Sequence, residues 1–297
     1  MALFSTTREG LQAGLNSLSK YCLKWGLTVN TEKTKIIVFR KAGKKSKDDK
    51  WTYNGKIIEV VSSFKYLGCD LSSSGYFNNN MKNNIDSARR ALFQLKQYLS
   101  TNPEVLLSQQ LELFNTMIKP IMTYSCEVWG LYNIKELEIF YLSFLKSVLC
   151  VKKSTPNCFV YGELGVFPLI IEMKMRIVKY WLKLIRPTTS HENYARKIYI
   201  QLLLLNISQP NHKTWVSEVK DMFNSLGLGY IWNLQKVENE KEFLKLFRQR
   251  LHDIYNQNWA NEVSNSSEGR LYRFLKTKHL RIALAKVRTS SHIFLIK

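Results

Sequence analysis

Residues 15–39 read LNSLSKYCLKWGLTVNTEKTKIIVF, and this stretch sets the expected start of the fold. Its apolar side chains continue a spacing of four, three, four and three that runs from Leu11 to Trp25, which predicts one face of a helix. Gly26 is expected to end that helix. The run at 35–40 is apolar and β-branched, so it predicts a buried strand. The stretch therefore predicts an α/β segment.

The residues that follow add β-structure. Asn54 and Gly55 lie in the middle of residues 51–61 and supply the positive φ angles that a two-residue hairpin turn needs. Residues 64–71 predict one further short strand. The chain is thus expected to begin with a helix, a strand, a hairpin and a strand.

After this β-rich start, the apolar spacing predicts helices for the rest of the chain. Asn102 and Pro103 predict a cap and a first-turn proline that begin a new helix, and Pro120 is expected to stop or kink it. Later apolar stripes lie at 170–184 and 244–254. The first stripe repeats at steps of four and three and comprises Met81, Ile85, Ala88, Leu92, Leu95 and Leu99.

Composition and charge narrow the class of protein. Of 297 residues, 45% are hydrophobic, which excludes a disordered tail, and the formal net charge is +21. No apolar stretch approaches the roughly 20 residues needed to span a bilayer, and the amino terminus lacks a secretory signal pattern. Five cysteines without a CxxC pair argue against a disulfide framework and a zinc knuckle. We expect a nuclear or cytoplasmic protein that is neither secreted nor membrane-bound.

The positive charge is concentrated at both ends. Residues 1–50 contain eleven basic and four acidic side chains, net +7, and residues 241–297 contain twelve basic and four acidic, net +8. No acid occurs from Gly269 onward, where aromatic and basic residues alternate. Because cations that neutralise phosphates release counterions, this end predicts backbone contacts to nucleic acid; the alternative is a solvated helix face. The basic residues assigned to these contacts are Arg270, Arg273, Lys276, Lys278 and Arg281.

The sequence offers little support for an independent active site. Metal-assisted phosphoryl transfer needs carboxylates that hold two divalent ions about 3.5 to 4 Å apart. The adjacent acids Asp48 and Asp49 are surrounded by lysines, whose ammonium groups would compete with a metal. The five histidines lie near no GxSxG turn or cysteine motif. We therefore predict neither a metal site nor a nucleophilic triad.

Blocks of sequence, in the same order along the chain, resemble the carboxy-terminal part of the reverse transcriptase of non-LTR (LINE-like) retrotransposons. Residues 15–39 resemble the helix and strand just after the catalytic turn of the palm, and SSFKYLGCDLSSSG at 62–75 resembles the hairpin that grips the primer end. IKPIMTYSCEVWG at 118–130, with residues 142–169, resembles the thumb and post-thumb region. LAKVRTSSH at 284–292 resembles a segment further downstream.

The resemblance implies an α+β fold: a small, truncated α/β palm remnant followed by a predominantly α-helical thumb and carboxy-terminal region. The palm remnant with its primer-grip-like hairpin is expected at 1–78, the helical thumb at 79–150 and the helical carboxy-terminal region at 151–297. The last region is expected to be undivided or split near 186–192 or 208–213.

The same resemblance implies that the catalytic part of the polymerase is missing. In the family, acids of an upstream palm motif and of a Tyr-Ala-Asp-Asp turn hold Mg²⁺, and the residues after that turn resemble this chain from Met1 onward. We expect a fragment that lacks the catalytic aspartates, has no metal or cofactor of its own and is inactive as a polymerase alone. It is also expected to end before the Cys-rich segment of such proteins.

By resemblance, the chain retains groups that contact nucleic acid. Lys33 matches the family lysine thought to help protonate the leaving pyrophosphate; the alternative is a surface lysine before a strand. The hairpin glycine would let the backbone approach the primer, or the hairpin simply caps a small core. Basic residues at a spacing of seven on the thumb helix would face the duplex backbone. The residues assigned here are Lys33, Lys35, Phe64, Tyr66, Leu67, Gly68, Lys82, Arg89, Arg90 and Lys96.

Three hypotheses follow from the sequence. The first is a polymerase fragment that binds RNA or DNA through backbone contacts without catalysis. The second is a non-catalytic nucleic-acid-binding or assembly module that docks on an intact polymerase. The third is a genomic relic whose product folds poorly, because a palm sheet that has lost strands exposes an edge that favours aggregation.

Overall fold

The computed structural model describes residues 1–40, 43, 46–131, 134–186 and 194–265. The chain divides into two compact units, Met1–Asn83 and Asn84–Lys297. Helices account for most of the described residues and the strands form two small sheets, so the fold is α+β, as predicted.

The first unit combines a helix with both small sheets. Its described elements are α1 (Arg8–Lys24), β1 (Lys35–Ile36), β2 (Trp51–Tyr53), β3 (Lys56–Val60), β4 (Ser63–Tyr66), β5 (Cys69–Ser72) and the beginning of α2 (Asn78–Thr101).

Helix α1 confirms the helix predicted at the start of the chain. Thr7 caps it by accepting a hydrogen bond from the Gly10 N–H at 3.1 Å, and Leu15 is buried on its inner face. The prediction was wrong for Trp25, which is the C-terminal cap and is 60% exposed. Gly26 follows at φ 63°, a left-handed conformation that suits glycine and ends the helix.

Strand β3 is the centre of a three-stranded sheet in the order β1–β3–β2. It runs parallel to β1 and antiparallel to β2, with Trp51 opposite Ile58. Asn54 (φ 49°) and Gly55 (φ 78°) form the predicted turn between β2 and β3. The helix and this sheet share one core, whose buried residues are Leu15, Ile36, Trp51, Tyr53 and Ile58.

The strand predicted over 35–40 is shorter in the structure, where β1 covers only Lys35–Ile36. The Val61 N–H closes the pairing by donating to the Ile36 carbonyl at 2.9 Å, and the Arg40 N–H donates instead to the Ser73 carbonyl at 3.0 Å. The β-branched sequence was not enough to extend the strand, because the backbone of β3 pairs with only its first two residues.

The single strand predicted over 64–71 is wrong, because the structure has a hairpin there. Strands β4 and β5 are antiparallel with Tyr66 opposite Cys69, and Leu67 (φ 48°) and Gly68 (φ 84°) form the turn between them. Leucine rarely adopts a left-handed conformation, so the residue pattern did not indicate a turn. The resemblance predicts a hairpin at this position, and that prediction is confirmed.

The second unit is helical over its described residues and continues α2. The elements that follow are α3 (Leu107–Leu113), a π-helical turn (Phe114–Ile118), α4 (Lys119–Met122), α5 (Cys126–Trp129), α6 (Lys135–Val148), α7 (Asn157–Leu164), α8 (Leu169–Ile185), α9 (Tyr194–Ser208), α10 (Trp215–Ser225), α11 (Gly229–Leu234) and α12 (Glu240–Asn265). None of the described helices is both long and apolar enough to cross a membrane.

Helix α2 carries the predicted apolar stripe, which is buried from Met81 to Leu95. The helix start predicted at Asn102 and Pro103 is wrong, since α3 begins at Leu107. Asn102 closes α2 instead, because its Nδ2 donates to the Tyr98 carbonyl at 2.8 Å. An asparagine side chain can satisfy orphan backbone groups at either end of a helix, so Asn-Pro did not decide between them.

Pro120 distorts the helical segment without ending it. The proline lies in the first turn of α4, and the π-helical turn Phe114–Ile118 directly precedes it. Proline cannot donate to the carbonyl four residues earlier, so the regular helical hydrogen-bond ladder is interrupted here. Phe114, Ile118 and Met122 are fully buried despite this irregularity.

The core of the second unit is aromatic and joins α8 to α12. Trp181 donates its indole N–H to the Tyr199 hydroxyl at 2.9 Å, and that hydroxyl donates to Gln235 Oε1 at 2.6 Å. Burial raises the pKa of Tyr199 to about 12. The stripes predicted at 170–184 and 244–254 lie on α8 and α12 and contribute to this core, whose aromatic members include Trp181, Phe223, Trp232, Phe243 and Phe247.

Candidate nucleic-acid interface

The β4–β5 hairpin brings together its four predicted nucleic-acid-binding residues. Phe64 and Tyr66 alternate with exposed residues along β4 and are half-buried on one face. Leu67 and Gly68 form the turn, where Leu67 is 76% exposed. The hairpin therefore presents an exposed apolar tip supported by two aromatic side chains.

Helix α2 anchors this hairpin inside the first unit. The Asp70 N–H donates to Asn80 Oδ1 at 3.0 Å, and Asn83 Nδ2 donates to Asp70 Oδ2 at 2.9 Å. Asn80 is fully buried. These bonds fix β5 against the first turns of α2, and the amino-acid pattern gave no sign of them because the partners are ten and thirteen residues apart and lie on two different elements, a strand and a helix.

Two lysines at β1 or just before it are predicted to contact nucleic acid, and they differ in whether a carboxylate pairs with them. The backbone N–H groups of Glu32 and Lys33 both donate to Asn30 Oδ1, a turn that leaves the Lys33 side chain exposed. Lys35 Nζ lies 2.5 Å from Glu59 Oε2, across the paired strands β1 and β3. Of the two, only Lys33 presents a cation without a carboxylate partner among the described residues.

Four predicted cations lie on exposed positions of α2: Lys82, Arg89, Arg90 and Lys96.

Two of these four make local contacts on the helix. Arg89 Nη1 lies 2.8 Å from Asp86 Oδ1, and Arg90 Nη2 donates to Ser87 Oγ at 3.0 Å. Both partners of the Arg89 pair are more than half exposed, so water screens the attraction and the pair is weak. A phosphate can therefore compete for Arg89.

Of the two adjacent acids, Asp48 and Asp49, it is Asp49 that forms an ion pair, with Arg40. Arg40 donates from Nη1 and Nη2 to the two carboxylate oxygens of Asp49 at 2.5 and 2.6 Å, and the Ser46 N–H adds a third bond at 2.9 Å. The hydrogen bonds from Arg40 hold the pKa of Asp49 below its usual value. In the part of the chain that the structure describes, no three His, Cys, Asp or Glu side chains are grouped so that they could hold a metal ion.

The basic residues predicted near the carboxy terminus lie outside the described residues. They are Arg270, Arg273, Lys276, Lys278 and Arg281.

The chain is similar to a class of enzymes, the RNA-directed DNA polymerases of non-LTR retrotransposons. The particular relatives are RNA-directed DNA polymerases from the mobile element jockey of Drosophila funebris, 22% identical, and of Drosophila melanogaster, 21% identical. A probable RNA-directed DNA polymerase from transposon BS of Drosophila melanogaster is 26% identical. Each similarity extends over 123 residues, which is 41% of this chain.

The similarity covers only part of this chain and only part of each relative. The matched segment spans only 13% to 14% of the length of the curated relatives. No family model and no solved structure matches the chain.

Proposed function

We propose that this chain is a fragment of a non-LTR retrotransposon reverse transcriptase that binds RNA or DNA through backbone contacts. The observation that carries the proposal is the similarity over 123 residues to three RNA-directed DNA polymerases of mobile elements. The net charge of +21 supports it, because such a charge attracts polyanions. Both nucleic acids are included because RNA and DNA carry the same phosphate groups.

Three lysines of the predicted interface are best suited to contact phosphates: Lys33, Lys82 and Lys96. Each is exposed, and no carboxylate pairs with any of them among the described residues. A cation that is not already paired gains the full benefit of releasing a condensed counterion from nucleic acid. The hairpin tip at Leu67 would add an apolar contact at the end of a nucleic-acid strand.

The test is a triple substitution, Lys33→Gln with Lys82→Gln and Lys96→Gln. Affinity for a DNA duplex of unrelated sequence is measured as salt is raised from about 50 to about 200 mM. The slope of log affinity against log salt should fall in magnitude by about 2.7, which is about 0.9 for each of three lost phosphate contacts.

A matched triple variant separates these positions from general charge. Lys152→Gln, Lys213→Gln and Lys245→Gln remove the same charge from exposed positions outside the predicted interface. We expect this control to change the slope by less than about 1. Equal changes in the two triple variants would contradict the assignment of Lys33, Lys82 and Lys96 to the interface.

We also propose that the chain does not polymerise by itself. The sequence contains no Tyr-Ala-Asp-Asp stretch, and its adjacent acids Asp48 and Asp49 do not fit a paired Mg²⁺ site, because Arg40 occupies both carboxylate oxygens of Asp49. Lys33 then has no pyrophosphate to protonate. Primer-extension assays with Mg²⁺ or Mn²⁺ should yield no product, and template-directed extension by the purified chain would overturn this part of the proposal.

A further inference from the structure

A cleft of about 550 Å³ lies in the second unit, and its lining includes none of the described residues assigned to nucleic acid above. Helix α8 lines it with Arg176 and Lys179, and α12 lines it with Arg248 and His252. Phe167, in the segment before α8, lies beside them. The cleft thus combines cationic and aromatic side chains contributed by separate parts of the chain.

Ion pairs satisfy only part of the positive charge in this cleft. Arg176 Nη2 lies 2.7 Å from Glu127 Oε1, and Lys119 Nζ lies 2.7 Å from Glu172 Oε2. Lys179 and Arg248 are exposed and pair with no carboxylate within the described residues of the second unit. Two cations therefore remain available to an anionic ligand.

The aromatic part of the cleft is a stack of two rings. The Phe167 and His252 ring centroids are 4.1 Å apart and their planes differ by 12°. Tyr255 meets Phe167 edge-on at 5.3 Å, which fixes the orientation of the Phe167 ring. Burial, and then the charge of Arg248, lower the pKa of His252, while Asp253 raises it less. The lowered pKa favours the neutral form of the His252 ring in the stack.

We infer that this cleft binds one nucleotide of a single-stranded RNA or DNA, with Lys179 and Arg248 on the phosphate and the Phe167–His252 stack in contact with the base. Single-strand sites combine a positive groove with aromatic side chains in this way. The volume lies within the roughly 300 to 1,000 Å³ of small-ligand sites, which suits a single nucleotide. The inference rests on the proposed function, because it assigns a second nucleic-acid contact to the same chain.

The experiment uses the full chain and a fluorescein-labelled, single-stranded 12-nucleotide RNA. Lys179→Gln with Arg248→Gln should weaken binding about 10-fold and reduce the magnitude of the salt slope by about 1.4, which is about 0.7 for each single-strand phosphate contact. Phe167→Leu keeps an apolar side chain but removes the ring, and it should weaken binding about 5-fold.

Each helix offers a matched control position. Lys183 on α8 and Arg250 on α12 are exposed cations that do not line the cleft. Lys183→Gln with Arg250→Gln should weaken binding less than about 3-fold. Equal weakening by the two double variants would overturn the cleft assignment, and unfolding curves that superpose on the wild-type curve ensure that binding alone is compared.

The outcomes also separate this inference from the proposed function. If the wild-type chain binds neither duplex nor single strand, the proposed function fails. If it binds both and the cleft variant matches the control, the cleft inference alone fails. If adenosine monophosphate competes as strongly as the 12-nucleotide RNA, the cleft is a free-nucleotide site. If poly-glutamate competes as strongly as the RNA, the cleft is an acidic-peptide site. Either result overturns the single-strand assignment.

Discussion

Glu138 shows how a single side chain holds three helices of the second unit together. Its carboxylate accepts a hydrogen bond from the Tyr161 hydroxyl of α7 and another from the Leu169 N–H at 3.1 Å. Leu169 is the first residue of α8, and Pro168 before it has no side chain that could cap the helix. A carboxylate supplied by α6 therefore satisfies a backbone group that the local sequence leaves open.

Glu138→Ala should lower the free energy of unfolding by about 1–3 kcal/mol, because it leaves the Tyr161 hydroxyl and the Leu169 N–H without their acceptor. Urea unfolding of the whole chain measures the loss. Glu136→Ala removes an exposed glutamate from the same turn of α6 and should stay within about 0.5 kcal/mol of wild type. Equal effects would show that Glu138 has no capping role.

The pH dependence of stability follows from the same residue. Burial raises the pKa of Glu138 above the 4.5 of an unperturbed glutamate, and its hydrogen bonds only partly offset this. A raised folded-state pKa stabilises the folded chain below pH 4.5, and that contribution is lost as pH rises through the raised value. Glu138→Gln should remove this decline from the stability profile, whereas Glu136→Gln should retain it.

The ion pair of Lys35 could not be predicted from the sequence. Two lysines on either side of Thr34 looked equivalent in the sequence. The structure separates them, because parallel pairing places Glu59 opposite Lys35, while Lys33 lies in the preceding turn. Which charge is already paired depends on strand register, and register was not determined by either segment alone.

At the scale of elements, the two hairpins of the first unit use the same left-handed turn with different residues. Asn54 and Gly55 suit positive φ, whereas Leu67 adopts φ 48° with its side chain 76% exposed. A β-carbon in the left-handed region costs about 1–2 kcal/mol, and asparagine tolerates it better than leucine. The turn therefore presents an exposed apolar side chain at a backbone position that leucine rarely adopts.

Leu67→Asn should raise the free energy of unfolding by about 0.5–1 kcal/mol, because asparagine relieves backbone strain while little apolar surface is lost. Leu67→Ala removes the same side chain without that relief and should leave stability near wild type. If Leu67 contacts nucleic acid, both variants should weaken duplex binding although only one is stabilised. Unchanged binding in both variants would remove Leu67 from the predicted interface.

Helices α1, α2, α8 and α12 could be predicted individually because their apolar spacing is local. The stripes of α2, α8 and α12 lie on buried faces as predicted. Errors occurred where a choice depended on distant partners or on unusual turns, as in the hairpin at Leu67–Gly68 and the start of α3 at Leu107. The sequence resemblance predicted that hairpin when residue propensity did not, because a whole motif carries more information than one turn pair.

For the whole molecule, the distribution of charge indicates which cations can bind an anion, and the net charge alone does not. Arg40, Lys119 and Arg176 contribute to the total of +21, but each is paired with a carboxylate in the folded chain. Lys179 and Arg248 lie 69 residues apart in the sequence and meet at one cleft. Only folding brings them to the same cleft. The sequence predicted a basic carboxy-terminal end from charges that are close together along the chain, and for that reason it did not reveal this cleft.

We propose above all that the chain binds nucleic acid through contacts to the phosphate backbone of the RNA or DNA. The most direct test is the affinity of the wild-type chain for two unrelated DNA duplexes of equal length, measured between about 50 and about 200 mM salt. If about 6 to 10 phosphates are contacted, both affinities should fall together by about 10³- to 10⁵-fold. An affinity that does not change with salt, or one that depends strongly on sequence, would contradict the account.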